Sequence, residues 1–147
     1  SEVVHNSLSF MTDDDLQAMA EYLKALPASS AMSPDHQPDK TLAAGATTYV
    51  DNCSACHQAQ GSGIPGVFPA LAGNGVVLAA DANDILKVVL FGIPVQDGYI
   101  AMPGFGDKLS DQQIADLANY LRSSWGNGAA VNATAAQVAA LRKLPVE

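Results

Sequence analysis

The pentapeptide Cys53-Ser54-Ala55-Cys56-His57 constrains this chain more than any other stretch, and it uses both of the cysteines present. Cysteines three residues apart lie on one face of a helical turn, so two thiols can reach the two vinyl groups of one porphyrin. The adjacent histidine then offers Nε2 to the iron. The run C-x-x-C-H reads as a covalent haem c attachment site. Other uses of the motif fit less well. A redox-active C-x-x-C wants a βαβ context and a helix N-terminus that lowers a thiol pKa, whereas here a helix-like segment precedes the cysteines. A zinc site needs four ligands, and the remaining histidines, His5 and His36, are distant in sequence. A disulfide across three residues closes too short a loop to stabilise much.

What sits on the iron's other face decides much of a haem protein's function, since His/Met ligation raises the reduction potential and an open position suits ligand binding. Met11 and Met19 fall in a helical pattern and read as packing residues. Met32 lies in a polar, proline-rich stretch. Met102 lies in Tyr99-Ile100-Ala101-Met102-Pro103-Gly104-Phe105-Gly106, a loop of turn residues far enough past His57 to wrap around a haem. Met102 is the favoured sixth ligand, and an ordinary buried loop methionine is the competing role.

Taken together, the C-x-x-C-H motif, Phe68-Pro69-Ala70-Leu71-Ala72-Gly73-Asn74, Met102-Pro103-Gly104-Phe105 and a closing helix with Tyr120-Leu121 resemble the all-α class I cytochrome c domain. The wording is especially similar to the last haem domain of the multihaem cytochrome subunits that serve periplasmic membrane-bound dehydrogenases of alcohols, sugars and sugar acids. The resemblance covers about residues 40–126. It implies one covalent haem c, with Cys53, Cys56 and His57 holding it and Met102 completing the iron's ligands. It also implies that the Pro69 carbonyl accepts from His57 Nδ1–H, fixing the imidazole tautomer and its basicity. Ile64, Val67, Phe68 and Leu71 are candidates for the pocket wall. Helix 40–52 is expected to cross the closing helix, with Gly45 and Tyr49 near Leu117 and Tyr120.

Composition narrows the remaining classes. Hydrophobic residues make up 48% of the 147, which excludes general disorder. Abundant alanine and few strand-like runs favour an all-α chain. No apolar run approaches the roughly 20 residues of a membrane span, so membrane contact is expected only through a parent complex. A formal charge of −8 argues against nucleic acid binding, which wants basic patches. It suits steering of a cationic redox partner, or simple solubility.

The front of the chain repeats a later part. Thr12–Lys24 aligns without gaps on Ser110–Arg122, with a hydroxyl N-cap in both and Leu16, Met19, Ala20 and Leu23 against Ile114, Leu117, Ala118 and Leu121. Since the second copy closes the haem domain, residues 1–26 read as the closing helix of an upstream cytochrome domain. In that register the counterpart of Met102 falls at Val4 or just before Ser1, and the upstream haem motif falls outside the sequence. A stray amphipathic helix is the competing reading.

Residues 27–39 read as a linker, from Pro27, Ser29, Ser30, Ser33, Pro34 and Pro38. Residues 40–126 form the haem domain. Its first helix turns Leu42, Ala46, Tyr49 and Val50 inward. Asp81 looks like an N-cap, with Gly92 at the C′ position of the same helix. Residues 127–147 are an extension in which 135–144 forms a short helix with Val138, Leu141 and Leu144 on one side. It packs back, docks a partner or lies on a membrane. Trp125 fills the core or covers the haem edge.

The function expected is one-electron transfer, relaying from a periplasmic dehydrogenase subunit towards a quinone or oxidase acceptor, with no substrate chemistry of its own. The alternative is a haem sensor or ligand-binding module with an open or labile sixth position. A peroxidase is weaker, because His5 and His36, the remaining distal candidates, lie outside the domain.

Overall fold

The computed structural model describes residues 6–26, 42–95 and 99–144. Val4, His5, Met32, His36 and the linker at 27–39 lie outside the described residues. Seven α-helices and no strand are present among them, as expected of an all-α chain. The chain divides into two units, Ser1–Ala31 and Met32–Glu147.

In the first unit, a 3-10 turn at Leu8–Phe10 precedes helix α1, Asp13–Ala25. Thr12 caps it, accepting from Asp15 N–H at 3.2 Å. Asp13, Asp14 and Asp15 sit in the first turn and Lys24 in the last, the charge order that suits the helix dipole. No residue of α1 is buried, although its stripe is apolar: Met19 is 43% exposed and Leu23 62%.

The second unit is organised by α6, Asp111–Ser123. Ser110 and Gln113 form a full capping box at its start. Ile114, Leu117, Ala118 and Leu121 recur at helical spacing, and all are buried. Helix α2, Ala43–Asn52, crosses α6 where Gly45 comes against the Asp116 carbonyl and Tyr120 Cβ. A side chain there would hold the two backbones apart. Tyr49 packs beside it on Tyr120, with ring centroids 5.7 Å apart. Val50, expected inside, is 65% exposed, and Thr48 is buried instead. Val50 follows Tyr49 directly, and neighbours in a helix do not share a face.

Helix α3, Ser54–His57, carries most of the pentapeptide. Helix α4 is Gly75–Leu78, and α5 is Asn83–Phe91. The N-cap of α5 is Ala82, one residue later than expected. Asp81 still serves that end, because its Oδ1 accepts from Asn83 N–H at 2.8 Å. Gly92 ends the helix at φ +76, a conformation that favours glycine.

The extension packs back on the domain. Helix α7, Ala135–Leu141, buries Val138 and Leu141 against α5 and α6, while Leu144 is 49% exposed. Fully buried Arg122 anchors its approach. The guanidinium donates to the carbonyls of Ala130 at 2.8 Å, Val77 at 3.0 Å, Ala79 at 2.9 Å and Asp81 at 3.2 Å. Buried carbonyls left without donors each cost about 1–3 kcal/mol. Arg122→Met is therefore expected to destabilise the domain by about 3 kcal/mol or more, read from the denaturant midpoint.

Candidate functional site

The carbonyl end of α2 runs directly into the attachment turn. Cys53 N–H donates to Tyr49 O at 2.9 Å and His57 N–H to Cys53 O at 3.0 Å, so one short helix sets both thiols and the imidazole. Gln58, at φ 65, turns the chain away. Tyr49 Oη donates to the Gln58 carbonyl and Trp125 Nε1 to the Ala59 carbonyl at 3.1 Å, which fastens the exit of the turn to the aromatic cluster of Tyr49, Tyr120 and Trp125. Burial pushes the Tyr49 hydroxyl well above its ordinary pKa. Trp125 covers Gly61 here and lines neither of the cavities described next.

A cavity of about 330 Å³ lies against the attachment turn. Asn52, Cys53, Cys56, His57, Phe68, Pro69, Met102 and Phe105 are among its walls. A smaller apolar cavity of about 30 Å³ joins Cys53, His57, Leu71, Met102 and Phe105 to the core residues Leu117 and Leu121. Cys53 is buried and Cys56 exposed. Burial, and then the neighbouring Cys56, push the free Cys53 thiol up to about 11.

His57 is buried, and its Nδ1 lies 2.9 Å from the Pro69 carbonyl oxygen. A carbonyl only accepts, so Nδ1 carries a proton, and in the neutral ring the lone pair is on Nε2. Met102 is held by its backbone. Its N–H donates to Ile93 O and its carbonyl accepts from Ile93 N–H, both at 2.9 Å. Phe105 N–H then donates to Val89 O and Gly106 N–H to Leu90 O, so the loop satisfies carbonyls that the end of α5 leaves open.

Ile64 departs from its expected place in the wall. It is 39% exposed and lines neither cavity, as does Val67. Ile64 instead closes its loop through two backbone hydrogen bonds with Phe68, each 2.8 Å. Asn52, Ile93, Tyr99, Ile100 and Phe105 are among the positions that line the larger cavity without having been named as wall from the sequence. Asn52 is notable because its Oδ1 is the buried side-chain polar atom left without a partner among the described residues. Its place next to Cys53 was the available signal.

The donor set fits a haem: two thiols, an imidazole with a free lone pair, a thioether and mostly apolar walls, with one unpartnered polar atom. The profile of the family described as cytochrome c matches residues 42–125. The chain belongs to the cytochrome c family. Membership implies a covalently bound haem c and electron transfer. This cytochrome is 41% identical to the gluconate 2-dehydrogenase cytochrome c subunit of Pantoea cypripedii, over 97% of its own length and 36% of that protein's. It is 40% identical to the cytochrome c subunit of the alcohol dehydrogenase (quinone) of Gluconobacter oxydans, over 97% and 33%. It is also 35% identical to cytochrome c-552 of Thermus thermophilus, over 67% and 83%. The chain thus spans about a third of the length of the dehydrogenase subunits it matches. Among the described residues no helix is long and apolar enough to cross a membrane.

Proposed function

We propose that this cytochrome carries single electrons on one haem c, bonded through Cys53 and Cys56, with His57 and Met102 as axial ligands of the iron. The observation that carries the reading is that Cys53, Cys56, His57 and Met102 line the same cavity. A bound haem supplies a one-electron couple. The chain's own residues set the conditions for it. The Pro69 carbonyl holds the His57 proton on Nδ1 and makes Nε2 a better donor. The Ile93 backbone pair fixes Met102 over the cavity. Phe68, Leu71 and Phe105 keep water from the site, and an apolar site with a thioether ligand raises the potential.

Electrons enter from a dehydrogenase subunit and leave towards a quinone or terminal oxidase acceptor, in the bacterial periplasm. The likeness to the cytochrome c subunits of gluconate and alcohol dehydrogenases supports a dehydrogenase partner. A potentiometric titration of the haem-loaded chain tests the carrier. One reversible one-electron wave is expected. Two waves, or oxidation of an alcohol or sugar acid by the chain alone, contradicts the reading.

Residues 1–26 belong, on the same proposal, to an upstream haem domain. Two observations support this. Ile114, Leu117, Ala118 and Leu121 of α6 are buried, while the matching stripe of α1 is not. The dehydrogenase relatives are also far longer than this chain. The gene sequence before Ser1 is expected to encode another C-x-x-C-H followed by a methionine loop. A parent that starts at Ser1, apart from a cleaved leader, rules the upstream domain out.

A further inference from the structure

The extension does more than cover α5 and α6. Arg142, just past the end of α7, reaches across to the segment that follows Met102. Its Nη1 donates to the Gly106 carbonyl, its Nη2 to the Leu109 carbonyl at 2.7 Å, and its Nε to Asp111 Oδ1 at 2.5 Å. All three acceptors lie within residues 106–111, between the methionine loop and the first turn of α6. Gly106 is four residues from Met102 and is itself tied to Leu90 O at 3.1 Å. The other end of the arrangement is rigid. Val138 is fully buried, and a Thr134–Gln137 capping box holds the start of α7.

We propose that α7 is a strap and that Arg142 is a positioning residue for the sixth ligand, holding 106–111 closed so that Met102 stays seated over the cavity. The proposal rests on the assignment of Met102 as ligand. A guanidinium suits the task because its fixed fork satisfies two carbonyls and a carboxylate together, whereas an ammonium serves as a point charge. Opening of a haem-side methionine needs the segment behind it to move. That segment's outward carbonyls at Gly106 and Leu109 are held by a residue from the far end of the domain. Arg142 and Asp111 side chains are 30% and 34% exposed, so the clamp can be removed without opening the core.

The test uses the haem-loaded full chain as wild type, Arg142→Ala, Arg142→Lys and Gly45→Ala. Gly45 contacts Asp116 and Tyr120, away from the strap, and controls for general destabilisation. Carbon monoxide association with the reduced protein and amide hydrogen exchange are both read. Arg142→Ala is expected to bind carbon monoxide at least tenfold faster than wild type. It should also exchange the amides of Met102, Phe105 and Gly106 at least tenfold faster, with Arg142→Lys intermediate. Gly45→Ala should leave the ratio of loop to α5 exchange unchanged. Unchanged carbon monoxide binding in Arg142→Ala overturns the proposal, whether or not exchange rises. A ratio of loop to α5 exchange in Arg142→Ala no higher than that in Gly45→Ala overturns it as well. If wild type itself binds carbon monoxide without delay and Met102→Leu changes nothing, the ligand assignment has failed, and the exchange data then show separately whether the clamp exists.

Discussion

Met102→Ala is expected to open the iron's sixth position. The oxidised protein should lose its sulfur-to-iron charge-transfer absorption, the reduced protein should bind carbon monoxide rapidly, and the reduction potential should fall, because a thioether ligand raises it. The truncation also removes a side chain from the walls of both cavities, at a cost of about 2 kcal/mol. Met102→Leu separates the two effects. It keeps nearly the same volume, so most of the stability should survive, while the spectrum and the carbon monoxide binding change as in the alanine variant. Variants that remain inert to carbon monoxide show that some other group fills the position. Rapid binding by the wild type favours the sensor reading instead.

The second large effect lies at the helix crossing. A Cβ added to Gly45 meets the Asp116 carbonyl oxygen at 2.2 Å and Tyr120 Cβ at 2.7 Å. Neither contact is the free end of a flexible side chain, so α2 and α6 must separate. Overpacking of this kind costs about 3 kcal/mol for alanine, which lowers the melting temperature of a domain this size by roughly 10–20 °C. Gly45→Leu should prevent stable folding. The attachment turn is the direct continuation of α2, so in Gly45→Leu the damage should extend to haem incorporation, measured as haem per chain after expression. A melting temperature for Gly45→Ala within about 2 °C of wild type is inconsistent with the crossing described, since even 1 kcal/mol moves it further.

What the sequence made legible was local and periodic. The pentapeptide names its chemistry in five residues. The helical spacing of Ile114, Leu117 and Leu121 marks the buried face of α6, and Gly92 marks the end of α5 because its positive φ favours glycine. Met102 stood out for its loop of turn residues, and it lines both cavities. What escaped depends on contacts that no spacing encodes. Arg122 and Arg142 do their work on backbone carbonyls, several of them more than thirty residues away, and a carbonyl belongs to every residue type. Asn127 is equally silent in sequence, yet it is fully buried and bonds Gly73 N–H, Leu71 O and Leu121 O. Ile64 was misplaced for the opposite reason. An isoleucine near a haem motif suggests a wall, but its glycine- and proline-rich loop closes on Phe68, and the residue lines neither cavity.

The extension shows the same limit. Val138 and Leu141 disclosed an apolar side, and only the fold shows that α5 and α6 receive it. Helix α1 carries a comparable stripe with nothing buried. Two copies of one pattern therefore stand in the same chain, one packed and one exposed.

On the proposed function, His57 and Met102 share one iron. The absorption spectrum of the oxidised, haem-loaded wild-type chain at neutral pH tests that most directly. A low-spin spectrum with a weak sulfur-to-iron charge-transfer band in the far red is the predicted result, and a high-spin spectrum, or a low-spin one without that band, contradicts it.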